Sequence, residues 1–313
     1  MKCRVAQIGL GAMGRPMAQN LINAGGYEMY VYDQNEETTK DLVLDGCIVC
    51  QNPEDAVKTA DVLLTMLPND EILLRVTRQL IPHLPLDAIH ISCSTVTPQT
   101  SRMLAAEHTL VGQKFVGAPI FARADGVAKK QASFVVGGVQ EYFDKVRPIL
   151  EANSNGIFWF GPDPGAGNIV KLCGNFMIAS AIETCAEALS LAEKAGLDRG
   201  EVMSMLNHTI FDCLIYRGYG DRVAHKQHIP GDPLVGPGFQ LDLGLKDVTL
   251  ALNQGKDLKV SMPVAEVLRE RFLTASARGL GKRDWSAISM CVSSESGLPT
   301  PEWPPPKRQR LDP

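Results

Sequence analysis

Up to about residue 160 the chain alternates two kinds of hydrophobic pattern. Short apolar runs at 4–8, 28–32, 47–50, 62–66, 89–92, 115–117, 133–137 and 157–160 read as strands. Between them, apolar residues recur every three to four positions. That spacing predicts helices over 12–24, with Met17 and Leu21 facing a sheet, over 36–44, over 53–59 with Pro53 near the start, and after Thr97-Pro98. Near-continuous apolar strands alternating with helices imply a mostly parallel sheet covered on both faces.

After Gly165 the period changes. Residues 168 to about 195 read as one long helix with no proline, and Gly196 suits its C-terminal cap. Further helices are expected over 199–207, 213–225, 241–254 and 264–278, interrupted by the Pro/Gly-rich HIPGDPLVGPG at 228–238. From about Ser293 the composition is that of a disordered tail. The expected division is therefore 1–164, 165–292 and a tail at 293–313.

Charge and cysteine usage narrow the partners. A net charge of −4 gives no general reason to expect nucleic acid or an anionic membrane. Apolar runs all fall short of the ~18 residues of a membrane span, and the first strand starts at Arg4, so no leader is expected ahead of it. The eight cysteines lie mostly in apolar runs and read as core residues of a reducing compartment, the cytoplasm. Cys47 and Cys50 form a lone CxxC without a second pair or a nearby histidine, which favours packing over a metal or redox role, and no metal is expected. The basic KRQR at 307–310 reads as a solvated tail or, alternatively, a nuclear-targeting run.

The candidate chemistry begins at Gly9-Leu10-Gly11-Ala12-Met13-Gly14, a GxGxxG that directly follows a predicted strand and opens a predicted helix. In that context the first glycine permits the turn, the second lets backbone approach a pyrophosphate, and the third lets helix and strand pack closely. The pyrophosphate would sit at the helix N-terminus. Asp33 ends the second strand 19 residues after Gly14, where a carboxylate can accept from an adenosine ribose. It would repel a 2′-phosphate, and DQNEE offers no arginine, so NAD is favoured over NADP. Ligands bind at the carboxyl ends of strands in such sheets, which adds Leu67-Pro68-Asn69 and Cys93-Ser94-Thr95 as crevice residues. Ser94 could hold a substrate oxygen, or instead cap the following helix.

Lys171 and Asn175 lie four residues apart in GAGNIVKLCGNF (165–176), on one face of the expected long helix. They can form a proton-transfer and substrate-holding pair. They can equally be a snorkelling lysine and a helix-contact asparagine.

With these motifs in hand, residues 1–292 resemble the β-hydroxyacid dehydrogenase family, which includes 3-hydroxyisobutyrate, tartronate semialdehyde and 6-phosphogluconate dehydrogenases. GLGAMGRPMAQNL (9–21) resembles its cofactor signature, and GAGNIVKLCGNF its GxGxxxKxxNN catalytic signature, with Gly174 where the first asparagine is usual. LGLKDVTLAL (243–252) resembles its later KD signature. The resemblance implies an α/β Rossmann-type N-terminal domain and an all-α C-terminal domain joined by a long interdomain helix, in a homodimer or homotetramer. It implies hydride transfer between a small 3-hydroxy acid and nicotinamide. Lys171 would be the general acid/base, Asn175 and Ser94 would hold a carboxylate substrate, and Lys246, supported by Asp247, would lie near the nicotinamide.

One segment departs from the family. Where its substrate signature runs APVSGG, this chain reads Ala118-Pro119-Ile120-Phe121-Ala122-Arg123. Arg123 could clamp a carboxylate bidentately, or form a surface ion pair. Phe121 would make the pocket more apolar. The sequence resembles a branch carrying VFGR-like residues here. Tyr216 and Tyr219 are candidates for lining the substrate pocket or for core packing, and Asp284-Trp285-Ser286 resembles the family's closing segment, which could approach a partner subunit's site. Two other readings fit the same cofactor motif. One is an imine reductase, a class that usually lacks this lysine. The other is a catalytically silent dinucleotide-binding interaction protein.

Overall fold

A computed structural model of the protein describes residues 2–39, 46–228 and 238–300. The chain divides into two compact units, 1–171 and 172–313.

The first unit is built on β1 (Cys3–Ile8), α1 (Gly14–Ala24), β2 (Tyr27–Tyr32), β3 (Ile48–Val49), α2 (Pro53–Val57), β4 (Val62–Thr65), α3 (Asp70–Leu80), β5 (Ile89–Ser92), α4 (Pro98–Leu110) and β6 (Lys114–Gly117). The six strands form one parallel sheet in the order β3-β2-β1-β4-β5-β6. This is the doubly wound Rossmann order, whose direction reverses between β1 and β4. Burial explains the continuous apolar strands: β4 and β5 are buried at every position.

Three further strands leave this sheet. β7 (Ile120–Phe121), α5 (Ala124–Ala128), β8 (Ala132–Val136), α6 (Gln140–Glu151) and β9 (Ser154–Trp159) form a second, mixed sheet, with β7–β8 antiparallel and β8–β9 parallel. The strands expected at 133–137 and 157–160 therefore exist but belong to this smaller sheet, which hydrophobic pattern alone does not reveal. The helix expected over 36–44 is a short 3-10 turn over Glu36–Thr38 where it is described, and 40–45 lie outside the described residues.

α7 (Ala166–Lys194) runs from the first unit into the second. At about 1.5 Å per residue it is roughly 44 Å long. Among the described residues it alone is long and apolar enough to cross a membrane by length and composition, but its inner face (Ala179, Ile182, Cys185, Ala186, Leu189) is core of the second unit. Its start is set by steric fit. A Cβ on Gly167 would stand 2.3 Å from the Val135 carbonyl oxygen, and one on Gly165 would stand 2.7 Å from that of Pro98. The glycines of this signature thus permit backbone-to-backbone packing. Gly167→Ala is expected to lower stability by about 3 kcal/mol, because neither backbone can yield. A thermal melt within a degree or two of wild type would refute this.

The second unit adds α8 (Arg199–Asn207), α9 (Asp221–Ala224), α10 (Leu241–Asp257), α11 (Pro263–Ala275) and α12 (Ile288–Glu295). The single helix expected over 213–225 is a π-helical turn at Tyr216–Gly220 followed by α9, and the one expected over 264–278 passes from α11 into a further turn that is broken at Gly279, φ +85°. The chain is still helical where the tail is expected to start: α12 carries it through Glu295. Ser293 is buried and bonded by the Arg199 guanidinium, and Lys226 donates to the Pro299 carbonyl. Residues 229–237, the body of the Pro/Gly-rich loop, and 301–313, including KRQR, lie outside the described residues.

Candidate active site and cofactor cradle

The glycine motif lies at the carboxyl end of β1, at the sheet's reversal point. Gly9 has φ +95°, and a Cβ there would stand 2.3 Å from the Met66 carbonyl oxygen at the end of β4. A Cβ on Gly14 would lie 2.0 Å from the Gly9 oxygen, so the third glycine brings α1 against its own turn. Gly11 differs from both. It is exposed, with nothing within 4 Å of where its Cβ would be. Ala12 is also exposed, Met13 half-buried and Leu10 buried. No side chain caps α1 and its first turn holds no acid, whereas Asn52, Asn69 and Thr97 cap α2, α3 and α4. An uncapped N-terminus beside an open glycine fits a pyrophosphate. The half-buried Asp33 carboxylate accepts from the Leu10 N–H at 2.6 Å and the Asn35 N–H at 2.8 Å. It is thereby fixed beside the glycine turn, with lone pairs left for ribose hydroxyls. Gly11→Ala should leave the melting temperature unchanged yet weaken NADH binding tenfold or more, about 1.4 kcal/mol. Equal affinity in a calorimetric titration would contradict the cradle.

The neighbouring strand ends are tied together by Ser94. Its buried hydroxyl accepts from the Leu67 N–H at 2.8 Å, while Thr97 takes the capping role on α4. Leu67 and Thr95 are half-buried and Pro68 is exposed.

Lys171 is buried at 8 % exposure on the second turn of α7. Asn168, one turn earlier and fully buried, holds that turn: its Oδ1 accepts from the Val96 N–H and its Nδ2 donates to Ser101 Oγ at 2.8 Å. Asp163 fixes the approach, gripped bidentately by Arg102 and accepting from the Gly165 N–H. The Lys171 ammonium stands over the Phe121 ring, 4.1 Å from its centroid. Arg123 is part-exposed, with Asp125 at 3.6 Å.

In the second unit Asn175, one helical turn beyond Lys171, is 2 % exposed and donates to Asp247 Oδ2 at 2.5 Å. Asp247 is 1 % exposed. The Lys246 ammonium lies 3.1 Å from the other Asp247 oxygen, at ion-pair distance but off the line of a hydrogen bond. Asp247 therefore does more than accompany Lys246: it fixes which end of the Asn175 amide points where. Tyr219 is buried edge-on to Trp285, with ring centroids 5.5 Å apart, and Tyr216 packs against Phe211. Asp284-Trp285-Ser286 is buried too. Asp284 pairs with Arg222 at 2.7 Å, and Ser286 meets His228 Nδ1 at 3.1 Å. Cys47 and Cys50 contact different carbonyls, of Met29 and Ile48.

Comparison with known proteins bears on the family and the fold. The profile for the NAD-binding domain of 6-phosphogluconate dehydrogenase matches residues 4–161. The one described as the NAD-binding domain of NADP-dependent 3-hydroxyisobutyrate dehydrogenase matches 165–291. The chain belongs to the β-hydroxyacid dehydrogenase family. Among members of the family, the oxidoreductase YfjR of Bacillus subtilis is 34 % identical over 92 % of this chain and 99 % of its own length. The 3-sulfolactaldehyde reductase of Escherichia coli is 31 % identical over 94 % and 97 %. A solved 3-hydroxyisobutyrate dehydrogenase of Mycobacterium tuberculosis with L-serine superposes with a TM-score of 0.83 at 26 % identity, covering 93 % and 99 % of the two chains. As a β-hydroxyacid dehydrogenase the protein is a nicotinamide-dependent oxidoreductase of small hydroxy acids. What sequence reading missed in this β-hydroxyacid dehydrogenase are the supports: the Asn168 clamp, the Asp247–Asn175 bond and the Phe121–Lys171 contact. Asn168 stood inside a motif already singled out, but its partners are 67 and 72 residues away.

Proposed function

We propose that the protein interconverts a small 3-hydroxy acid and its semialdehyde with NAD(H), using Lys171 as general acid/base. The observation that carries this reading is a buried lysine on a rigidly seated helical turn, one turn before an asparagine held by a buried carboxylate. When bound, the nicotinamide supplies or accepts the hydride. The Lys171 amine takes the hydroxyl proton in oxidation, and its ammonium gives one to the nascent alkoxide in reduction. Asn175 holds the substrate, its amide oriented by Asp247, and Lys246 is assigned to the cofactor. Ser94 shapes the crevice through its Leu67 bond.

Arg123 is the candidate carboxylate clamp. Its pairing with Asp125 is exposed and long, and such pairs contribute at most about 1 kcal/mol, so a substrate carboxylate can take the guanidinium over. The anchored Asp33 favours NAD, since a 2′-phosphate would meet a fixed negative charge. The reading assigns the protein to a homodimer or homotetramer of the family type.

The test is a panel of 3-hydroxy acids, including L-serine and 3-hydroxyisobutyrate, and small aldehyde acids. Each is assayed with NAD(H) and with NADP(H) by the reduced-nicotinamide absorbance. Turnover with at least one member, and higher kcat/KM with NAD(H), is expected. Tight NADH binding without turnover of any member would overturn the catalytic reading, and a preference for NADP(H) would overturn the assignment of Asp33.

A further inference from the structure

We propose that Phe121, which stands where the family signature has a small polar turn, is a positioning residue that holds the Lys171 ammonium against its ring face. The inference rests on the catalytic reading of Lys171 and adds a residue to it.

The two side chains are brought together by independent anchors. Phe121 lies on β7, whose register is set by pairing with β8, Phe121 opposite Ser133 and Ile120 opposite Phe134. β8 is itself in contact with the start of α7, since the Val135 oxygen fills the space where a Gly167 Cβ would be. Lys171 is one turn beyond Gly167, and Asn168 fixes that turn's rotation through Val96 and Ser101. Sheet and helix thus present ring and ammonium to each other with little freedom in either backbone. The separation of 4.1 Å from Nζ to ring centroid is well inside the ~6 Å over which an aromatic face attracts a cation. With the lysine only 8 % exposed, water competes weakly for that face. A serine-glycine-glycine turn has no such face. The form held on the ring is the proton-bearing one, which carbonyl reduction consumes.

The role differs from packing in one respect: it depends on the electron density of the ring and not only on its shape. The test is the rate at which an acylating amine reagent labels Lys171 in the intact protein at neutral pH, read by peptide mass spectrometry. Phe121 is replaced by phenylalanines carrying one, two and three ring fluorines, which weaken the negative ring face at nearly constant shape. Labelling should rise stepwise along the series, and Phe121→Leu should raise it about two- to fivefold, the equivalent of about 0.5–1 kcal/mol. A rate that stays flat across the fluorinated series overturns the proposal, even if Phe121→Leu perturbs folding. The labelling assay needs no substrate. A graded response in a protein whose Lys171→Met variant still turns over would leave the positioning role standing and remove the catalytic one. A flat response with an inactive Lys171→Met variant would do the reverse.

Discussion

Lys171→Met is expected to lower kcat by about 10²- to 10⁴-fold, the usual contribution of a positioned general acid/base. NADH affinity should stay within about twofold of wild type, because the cradle at Gly9, Gly11, Gly14 and Asp33 is built from other elements. Methionine has nearly the same length and can pack its thioether against the Phe121 ring, so the loss isolates the proton-carrying nitrogen. Lys171→Arg sharpens the result. A guanidinium keeps the charge and can stack on the ring, but it does not deprotonate, so oxidation of the hydroxy acid should stay as slow as with methionine. Near-normal turnover in either variant would remove Lys171 from the mechanism and leave Asn175 and Asp247 without a reaction to support.

The second large effect is on stability in acid. His90, His108 and His228 are buried and held neutral. Burial pushes His90 well below the ordinary imidazole range, with His108 adding to it, and burial also lowers His108. Burial, then the surrounding Arg199, Arg283, Arg222 and Lys226, pushes His228 down to about 3. In the unfolded chain each titrates near 6.5. Above that pH both states are neutral and nothing is gained or lost. Below it the unfolded chain takes up protons that the folded one refuses, so stability falls as the pH drops from the unfolded value toward the folded one. Each such group costs up to about 1.4 kcal/mol per pH unit. Between pH 6.5 and 4.5 His228 alone would remove about 2 kcal/mol, with His90 and His108 acting in the same direction, against a total of about 5–15 for an ordinary protein. Glu183 opposes this trend, because burial raises its carboxyl despite the Arg271 ion pair, so protonation favours the fold. The check is a urea midpoint measured at intervals from about pH 7 to 4.5, expected to fall steadily below 6.5. A level profile would mean that these histidines are solvated in the native state, against their burial.

The parts of the protein that sequence made visible are those whose physics is local. The Gly9–Gly14 turn, the strand before it and the helix after it lie within some twenty residues, and each glycine answers a nearby steric demand. Asp33 follows from the length of one strand–helix–strand unit. The Lys171–Asn175 spacing follows from helical pitch alone. What stayed hidden depends on contacts distant in sequence. Nothing around Asp247 announces that it bonds Asn175, 72 residues earlier. Nothing in FARAD announces that the Phe121 ring meets a lysine on α7. The second sheet was hidden for a related reason: strands of two sheets carry the same alternation, and only hydrogen-bond partners separate them. The π turn at Tyr216–Gly220 and the break at Gly279 are single-turn features, too short to change a hydrophobic period.

The buried histidines of the first unit also form a chain with a fixed direction. The Gln113 Nε2 donates to the carbonyls of Ile81 and Leu84, which leaves its oxygen to accept from His108 Nδ1. His108 Nε2 must then accept from His90 Nδ1, and His90 Nε2 from the Thr65 hydroxyl. One amide thus sets the tautomer of both rings. The two ring hydrogens sit in bonds sealed from water, beside the strand whose end lies against the Gly9 turn. They should therefore appear as sharp, far-downfield imidazole signals in proton NMR, native reporters of the sheet that need no label and that vanish when β4, β5 and α4 part.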